Sequence, residues 1–304
     1  MQKIAIAVHG GAGPDSEFIK ENSEGYKMGI GQAIDAGYLM LKNGGTAVDA
    51  VEAAVNVLEN NPLFNAGKGA AINEKESVEM CASIMDGSTT ESGAVAIVKN
   101  VRNPISLAKA VMQKSRHLYL GETGALNFAK EMNMPLESQD YFITEHALEQ
   151  YREKKSELQQ EGKKVNEKMH GTVGAVAVDS FGNIAAATST GGTECNMEGR
   201  IGDSSMAGAG TYANNKTCAV SATGDGEFNI RFVTAFHISC LVEYKNLSLN
   251  EACKYLLHEK AKDVGGDMGV IAINTKGEVA FEFNSERMHR GWKNDQGEGF
   301  VAIY

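Results

Sequence analysis

Two threonines near the middle of the chain stand where one could serve as a nucleophile. Thr172 lies at the start of HGTVGAVAVD (170–179), and Thr190 lies near the end of IAAATSTGG (184–192), with SFGN between the two runs. Both runs are small and apolar enough to be buried strands, joined by a hairpin connection over 179–183. An antiparallel hairpin that pairs 179 with 183 also pairs 172 with 190, placing the two Cβ atoms about 5 Å apart. A threonine hydroxyl is a weak nucleophile at neutral pH. At a chain's N-terminus it carries its own base, an α-amine with an unperturbed pKa of about 7.7–8.0. Exposing that amine requires a cut before Thr172, and Gly171 offers the least hindrance to attack by the Thr172 hydroxyl on its carbonyl. The plain alternative is that a cross-strand threonine pair only stabilises the sheet.

Downstream residues add chemistry of the matching kind. GRIGDS (199–204) sets Arg200 and Asp203 three residues apart in a glycine-rich loop. Arg200 could clamp a carboxylate through two hydrogen bonds and Asp203 could hold an ammonium, the two ends of an amino acid. A solvated ion pair is the other reading, worth little. SATGDGE (221–227) falls where a strand meets a helix, and its amides and hydroxyl could form an oxyanion hole. The glycines of HGGAG (9–13) belong to neither a phosphate loop nor a dinucleotide fingerprint, and no G-x-S-x-G elbow or H-E-x-x-H pair occurs. His170 reads as a structural neighbour of the scissile bond rather than a base.

The elements that must position these groups follow from the pattern. Residues 3–8 read as a buried strand ended by glycines, and 24–42 as a helix. Thr46 and Asp49 form a capping box for an amphipathic helix that ends near Asn60-Asn61-Pro62. Residues 71–97 read as two strands turning at 86–88, and 104–114 as a helix. From 137 to 168 the chain is rich in Glu, Lys and Gln, which predicts a mobile or solvated connector without chemistry of its own. Beyond the hairpin come a strand near 217–222, a helix from about 228, a helix capped by Ser248 reaching about 262, and a hairpin of 269–274 and 278–283. Strands grouped in hairpins with helices between predict an α+β domain, antiparallel sheets covered by helices.

With 304 residues, a single large domain is long enough to bury a sizeable core. The net charge of −10 argues against nucleic acid as the main partner. No run approaches a membrane-spanning length, and the first residues show no basic, apolar and cleavage-site succession, so a cytoplasmic location is expected. Five cysteines without a C-x-x-C pair read as buried free thiols.

The motifs HGTVGAVAVD, TSTGG, GRIGDS, GAGTYANN and SATGDGE, in this order, resemble the plant-type asparaginase/isoaspartyl-peptidase family. So do VHGGAG, LENNPLFNAGKGA, the MDG at 85–87 and the late FNSERMHRGW, so the resemblance spans nearly the whole chain. It implies a single N-terminal-nucleophile hydrolase domain, a four-layer αββα sandwich. The chain would cut itself into an α subunit, 1–171, with a mobile linker from about 137 to 171, and a β subunit, 172–304. It implies Thr172 as nucleophile, Thr190 as its orienting partner, Arg200 and Asp203 on the substrate's α-carboxylate and α-amine, Thr223 and Gly224 on the oxyanion, Gly226 lining the pocket, and Asn65 positioning the site. The backbone carbonyls of Leu58, Glu59, Asn61, Phe64, Ala66 and Lys68 would hold a structural sodium ion, as suits a hard cation. No organic cofactor is implied. Asparagine and β-aspartyl dipeptides are the implied substrates, and a homodimer of α/β pairs the implied assembly. Two departures stand out. Thr193 to Glu198 occupy the stretch where the family often has Lys-x-Pro, and Asp225 brings negative charge to the oxyanion loop. Glycosylasparaginase and a non-catalytic aspartate-binding relative are the alternatives; the first usually has Asp at the place of Gly171.

Overall fold

The structure is a computed structural model that describes residues 3–161, 171–263 and 265–304. It is an α+β fold. Its strands are β1 (Ala5–Gly13), β2 (Met80–Asp86), β3 (Ser92–Val98), β4 (Tyr119–Gly121), β5 (Val173–Val178), β6 (Ile184–Thr190), β7 (Thr211–Ala213), β8 (Ala219–Gly224), β9 (Met268–Ile273), β10 (Val279–Phe283), β11 (Arg287–Asn294) and β12 (Gly299–Ala302). Eight form one sheet, ordered β12-β11-β1-β5-β6-β2-β3-β4, antiparallel except for the β3–β4 pair. The other four form a second sheet, β10-β9-β8-β7.

β1 and β5 are buried along their whole length, which explains why they read as continuous apolar runs rather than alternating ones. One face of the larger sheet packs Ile6, Val8, Val173, Ala175, Ala185 and Ala187 against helices. These are α2 (Ser23–Lys42), which follows the short α1 (Glu17–Glu21), with α3 (Ala47–Glu59) and α4 (Pro104–Lys114). In α2 the buried residues Ile30, Ala33, Ile34, Gly37 and Leu41 recur at i, i+3, i+4 spacing. The expected capping box opens α3: Thr46 accepts from the Asp49 amide and Asp49 from the Thr46 amide. Between the sheets a third set of residues meets, including Ala7, Val176 and Ala186 from one and Ala219, Ile271 and Ile273 from the other.

Several expectations need correction. The charged connector is not merely solvated. After α5 (Glu122–Glu131) and α6 (Gln139–Phe142), helix α7 (Glu145–Glu161) places Ala147 and Tyr151, with Phe142, in a core with Ile72, Val78 and Met80, and Cys195 packs against it. Residues 162–170, including His170, lie outside the described residues. The helix expected from 228 is two. α8 (Gly226–Phe232) stops at Val233, which has φ 49°, and α9 (Thr234–Lys245) restarts because the amides of Ala235 and Phe236 bond the carbonyls of Ala209 and Gly208. The Ser248-capped α10 (Leu249–Lys254) continues as π-helix through Lys260. Two of the five thiols, Cys195 and Cys240, are only partly buried.

Gly174 in β5 marks where the sheets come closest. A Cβ there would overlap Ser221 Oγ and His9 Nε2 and lie 2.9 Å from the Ala187 carbonyl. Gly174→Ala therefore loses about 1–3 kcal/mol of stability through overpacking. Urea unfolding checks this, and a variant as stable as wild type would deny that close approach.

Candidate active site

Thr172 stands just ahead of β5. Val173 pairs with Ser189 and Val178 with Ile184, the expected register, so Thr172 falls opposite Thr190. Both are 4% exposed, and the Thr172 hydroxyl donates to Thr190 Oγ1 at 3.3 Å. Thr190 Oγ1 also accepts from the Gly192 amide at 3.1 Å, which aims its lone pairs. Gly171 packs on the bend of β1. A Cβ on Gly11, where φ is +107°, would lie 2.6 Å from Gly171 Cα, so the HGGAG segment cradles the bond ahead of Thr172.

Asn65 ties the neighbouring loops together. Its amide nitrogen donates to the Gly192 carbonyl at 2.7 Å, and its oxygen accepts from the Ala71 amide at 2.8 Å. Thr223 lies near the end of β8, where its hydroxyl lies 3.4 Å from the Thr172 carbonyl and 3.4 Å from the Ala12 amide. Gly224 follows with φ +102°, and a Cβ there would collide with the Asp267 carbonyl. Asp225 is turned aside: its carboxylate accepts from the Asp267 amide at 3.0 Å, so its charge is spent on joining two loops.

Arg200 and Asp203 both come close to Gly226. A Cβ on Gly226 would lie 2.9 Å from Asp203 Oδ1 and 3.1 Å from Arg200 Nη2. Asp203 is 2% exposed, and its Oδ2 has no partner among the described residues. Burial pushes its carboxyl up to about 7, against the pull of the Arg200 charge. Arg200 is not free, because its Nε and Nη2 donate to the two carboxylate oxygens of Glu227 at 2.9 and 2.7 Å. Glu227 was not singled out in the sequence, although it closes the SATGDGE motif.

Sequence reasoning also missed the polar seam between the sheets. His9 Nε2 lies 2.8 Å from Ser221 Oγ, which lies 2.7 Å from Thr188 Oγ1. Thr211 donates to Thr188 at 2.6 Å, and Ser83 donates to Thr211 at 2.7 Å. The signal was present: Thr188 is two residues from Thr190 on the same face of β6. Glu59 was expected to act only through its carbonyl. Its buried side chain instead accepts from Ser189 Oγ at 2.7 Å, the Ile105 amide at 2.9 Å and Asn103 Nδ2 at 3.0 Å. Burial pushes this carboxyl up to about 7 as well.

A family model described as Asparaginase matches residues 2–303. The chain belongs to the asparaginase family. It is 44% identical to the isoaspartyl peptidase of Salmonella typhimurium over 299 residues, 96% of each chain. It is 41% identical to a probable isoaspartyl peptidase/L-asparaginase 2 of Arabidopsis thaliana, covering 99% of this chain and 98% of that one. With the isoaspartyl peptidase/L-asparaginase of Danio rerio it shares 42% identity, over 93% and 90% of the two chains. Among the described residues no helix is long and apolar enough to cross a membrane.

The buried carboxyls have a measurable consequence. A carboxyl whose folded pKa is raised adds stability that is complete below its unfolded value and is lost as pH rises through its folded one. Asp203 and Glu59 therefore weaken the substrate-free fold between pH values of about 4 and 7. His9 and His289, held neutral by burial down to about 3, act in the opposite direction, adding stability as pH rises towards their ordinary value. The difference between Asp203→Asn and wild type isolates one contribution. The variant's melting temperature gains on wild type steadily from pH 4 to 7. Parallel profiles would mean that Asp203 is ionised in the empty site.

Proposed function

We propose that this chain is a self-activating threonine hydrolase that cleaves L-asparagine to aspartate and ammonia and hydrolyses β-aspartyl dipeptides. The observation that carries the reading is the Thr172–Thr190 hydroxyl contact on the first residue after Gly171, with Gly171 held against Gly11. The names of the relatives point the same way. In maturation the Thr172 hydroxyl adds to the Gly171 carbonyl, and the acyl group passes from the Thr172 nitrogen to its oxygen. Water then cleaves the ester, leaving a carboxylate on Gly171 and a free amine on Thr172. The products are an α subunit, 1–171, and a β subunit, 172–304, which form one domain with the four-layer αββα build of N-terminal-nucleophile hydrolases. The facing cores between and outside the two sheets support that build.

In turnover the free amine takes the hydroxyl proton as Thr172 attacks the substrate's side-chain carbonyl, then delivers it to the departing ammonia or amine. Thr190 holds the nucleophile's orientation. Thr223 and the Gly224 backbone receive the oxyanion. Arg200 takes the substrate's α-carboxylate and Asp203 its α-ammonium, which draws Asp203 back to the ionised form. Water releases aspartate from the ester on Thr172.

The loop after α3 suits a sodium ion. The carbonyls of Leu58, Glu59, Asn61 and Phe64 each accept an amide hydrogen bond from within the loop, leaving their second lone pairs. With Ala66 and Lys68 they would form a carbonyl cage that stiffens the loop carrying Asn65. A homodimer of α/β pairs in the cytoplasm is the matching assembly and location.

Thr172→Ala abolishes self-cleavage. Denatured mass then shows one 32.5 kDa chain, against fragments of roughly 18 and 14 kDa for wild type by residue count. An uncut wild type after a day's incubation, with no release of aspartate from either substrate, would sink the proposal. Removing the side chain that occupies Arg200 has a subtler effect. Glu227→Gln lowers KM for asparagine roughly two- to fivefold, the worth of a half-exposed ion pair that the substrate must displace. An unchanged or higher KM would show that Glu227 does not compete for Arg200.

A further inference from the structure

A second cationic site faces the bond that is cut. A narrow cavity of about 50 Å³ is walled by Gly171 together with Tyr26, Asn65, Arg287 and His289, and Arg200 and Asp203 are not among the described residues that line it. It has room for a water molecule or so, not for an amino acid. Two of its walls carry unsatisfied polar atoms. Arg287 is 4% exposed and its Nε has no partner among the described residues. His289, 2% exposed, directs Nδ1 at the Gly10 carbonyl, 3.3 Å away, which leaves Nε2 as an acceptor without a partner among the described residues. Its ring is fixed by stacking on Tyr26 at 4.2 Å. Residues 287 and 289 are alternate positions of β11 and share one face of the strand. Asp15 and Asp267 attract Arg287 electrostatically, but neither forms an ion pair with it, and the Asp15 carboxylate is engaged by the Tyr304 hydroxyl at 3.1 Å and the Ser16 amide at 2.9 Å. Glu194 is the one carboxylate among the described lining residues. A buried arginine that makes no close ion pair with a carboxylate among the described residues, and whose Nε is unsatisfied, favours an anion in the adjoining space.

The chemistry decides which anion. Thr172's nitrogen is bonded to Gly171, so the amine freed by cleavage points to where Gly171 stood, into this cavity. That amine protonates the leaving group, which must therefore depart through the same space. When asparagine reacts, ammonia leaves. When a β-aspartyl dipeptide reacts, an α-amino acid leaves, with a carboxylate two bonds from its nitrogen. We propose that Arg287 binds the leaving-group carboxylate of β-aspartyl dipeptides and that His289 Nε2 accepts an N–H of the same amino acid. This rests on the proposed function and names a specificity residue within it. Arg200 and Arg287 then each hold one of the substrate's two carboxylates.

The test uses the cleaved, full-length protein with three substrates: β-aspartyl-leucine, its C-terminal amide and L-asparagine. Wild type prefers the acid over the amide by about ten- to hundredfold in kcat/KM, the worth of a hydrogen bond to a charged group. Arg287→Gln collapses that ratio toward one, chiefly by weakening KM for the acid, and Arg287→Lys keeps most of it. A wild type that treats acid and amide alike overturns the inference. So does an Arg287→Gln variant whose losses are equal for all three substrates, which marks a structural role. If Arg287→Gln does not mature, as denatured mass shows, the lysine variant and the wild-type acid-to-amide ratio carry the test. Failure of the underlying function is separately visible, because wild type would then turn over none of the three.

Discussion

The buried carboxylate of Asp179 holds the register on which the site depends. It is 1% exposed, and one oxygen accepts the amides of Phe181 and Asn183, both at 2.9 Å, which closes the β5–β6 turn. Its other oxygen accepts the Ala47 amide at 3.1 Å, at the start of α3. One side chain thus fixes the turn and docks the helix that covers both strands. A slip of one residue would send Thr172 to the opposite face from Thr190. Since β5 and β6 are buried on both faces, such a slip would also misplace small residues fitted between sheet and helix on one side and sheet and sheet on the other.

Against that rigid pair, the charges of the site are held in unfavourable surroundings. Asp203 and Glu59 sit where burial resists ionisation, and Arg287 lacks a partner at Nε. Charges taken from water cost several kcal/mol each unless they are paired. Glu59 recovers part of this through three donors at the start of α4 and on β6. Asp203 is drawn toward ionisation by the Arg200 charge, which burial outweighs, and Arg287 lines a cavity without a close ion pair to a carboxylate among the described residues. The seam from His9 to Ser83 is of the other kind. It joins the sheets by hydrogen bonds between neutral groups, with His9 Nδ1 left without a partner among the described residues.

The parts of this that were legible in the sequence are those governed by local rules. The Thr172–Thr190 pairing followed from a hairpin of known closure, and the boxes at Thr46 and Ser248 followed from spacing. Arg200 and Asp203 stood out as opposite charges among glycines. What stayed hidden depends on contacts far apart in the chain. The break at Val233 is imposed by carbonyls of residues 208 and 209, and the apolar side of α7 finds its partners some 70 residues earlier, around Ile72 and Val78. Arg287 and His289 lie in FNSERMHRGW and were not singled out from the sequence. Only the pairing of β11 with β1, which brings Arg287 opposite Gly13, carries them under the cleavage site.

The two sides of Thr172 differ in when they are made. On the proposed function, the Arg200 side is complete in the uncut chain: Glu227 occupies the guanidinium as a substrate carboxylate would, by two hydrogen bonds. A substrate has only to exchange one carboxylate for another. The Arg287 side is closed by Gly171 itself, so on the proposed mechanism it opens only when the peptide bond is broken. The reaction that creates the catalytic amine then also creates the room for the leaving group, and the uncut chain lacks both. A precursor could bind the α-carboxylate of a substrate and still have nowhere to send the departing amine. On the proposed mechanism, activation by cleavage is a change of space as much as of chemistry, and it follows from where Gly171 packs against Gly11 of β1.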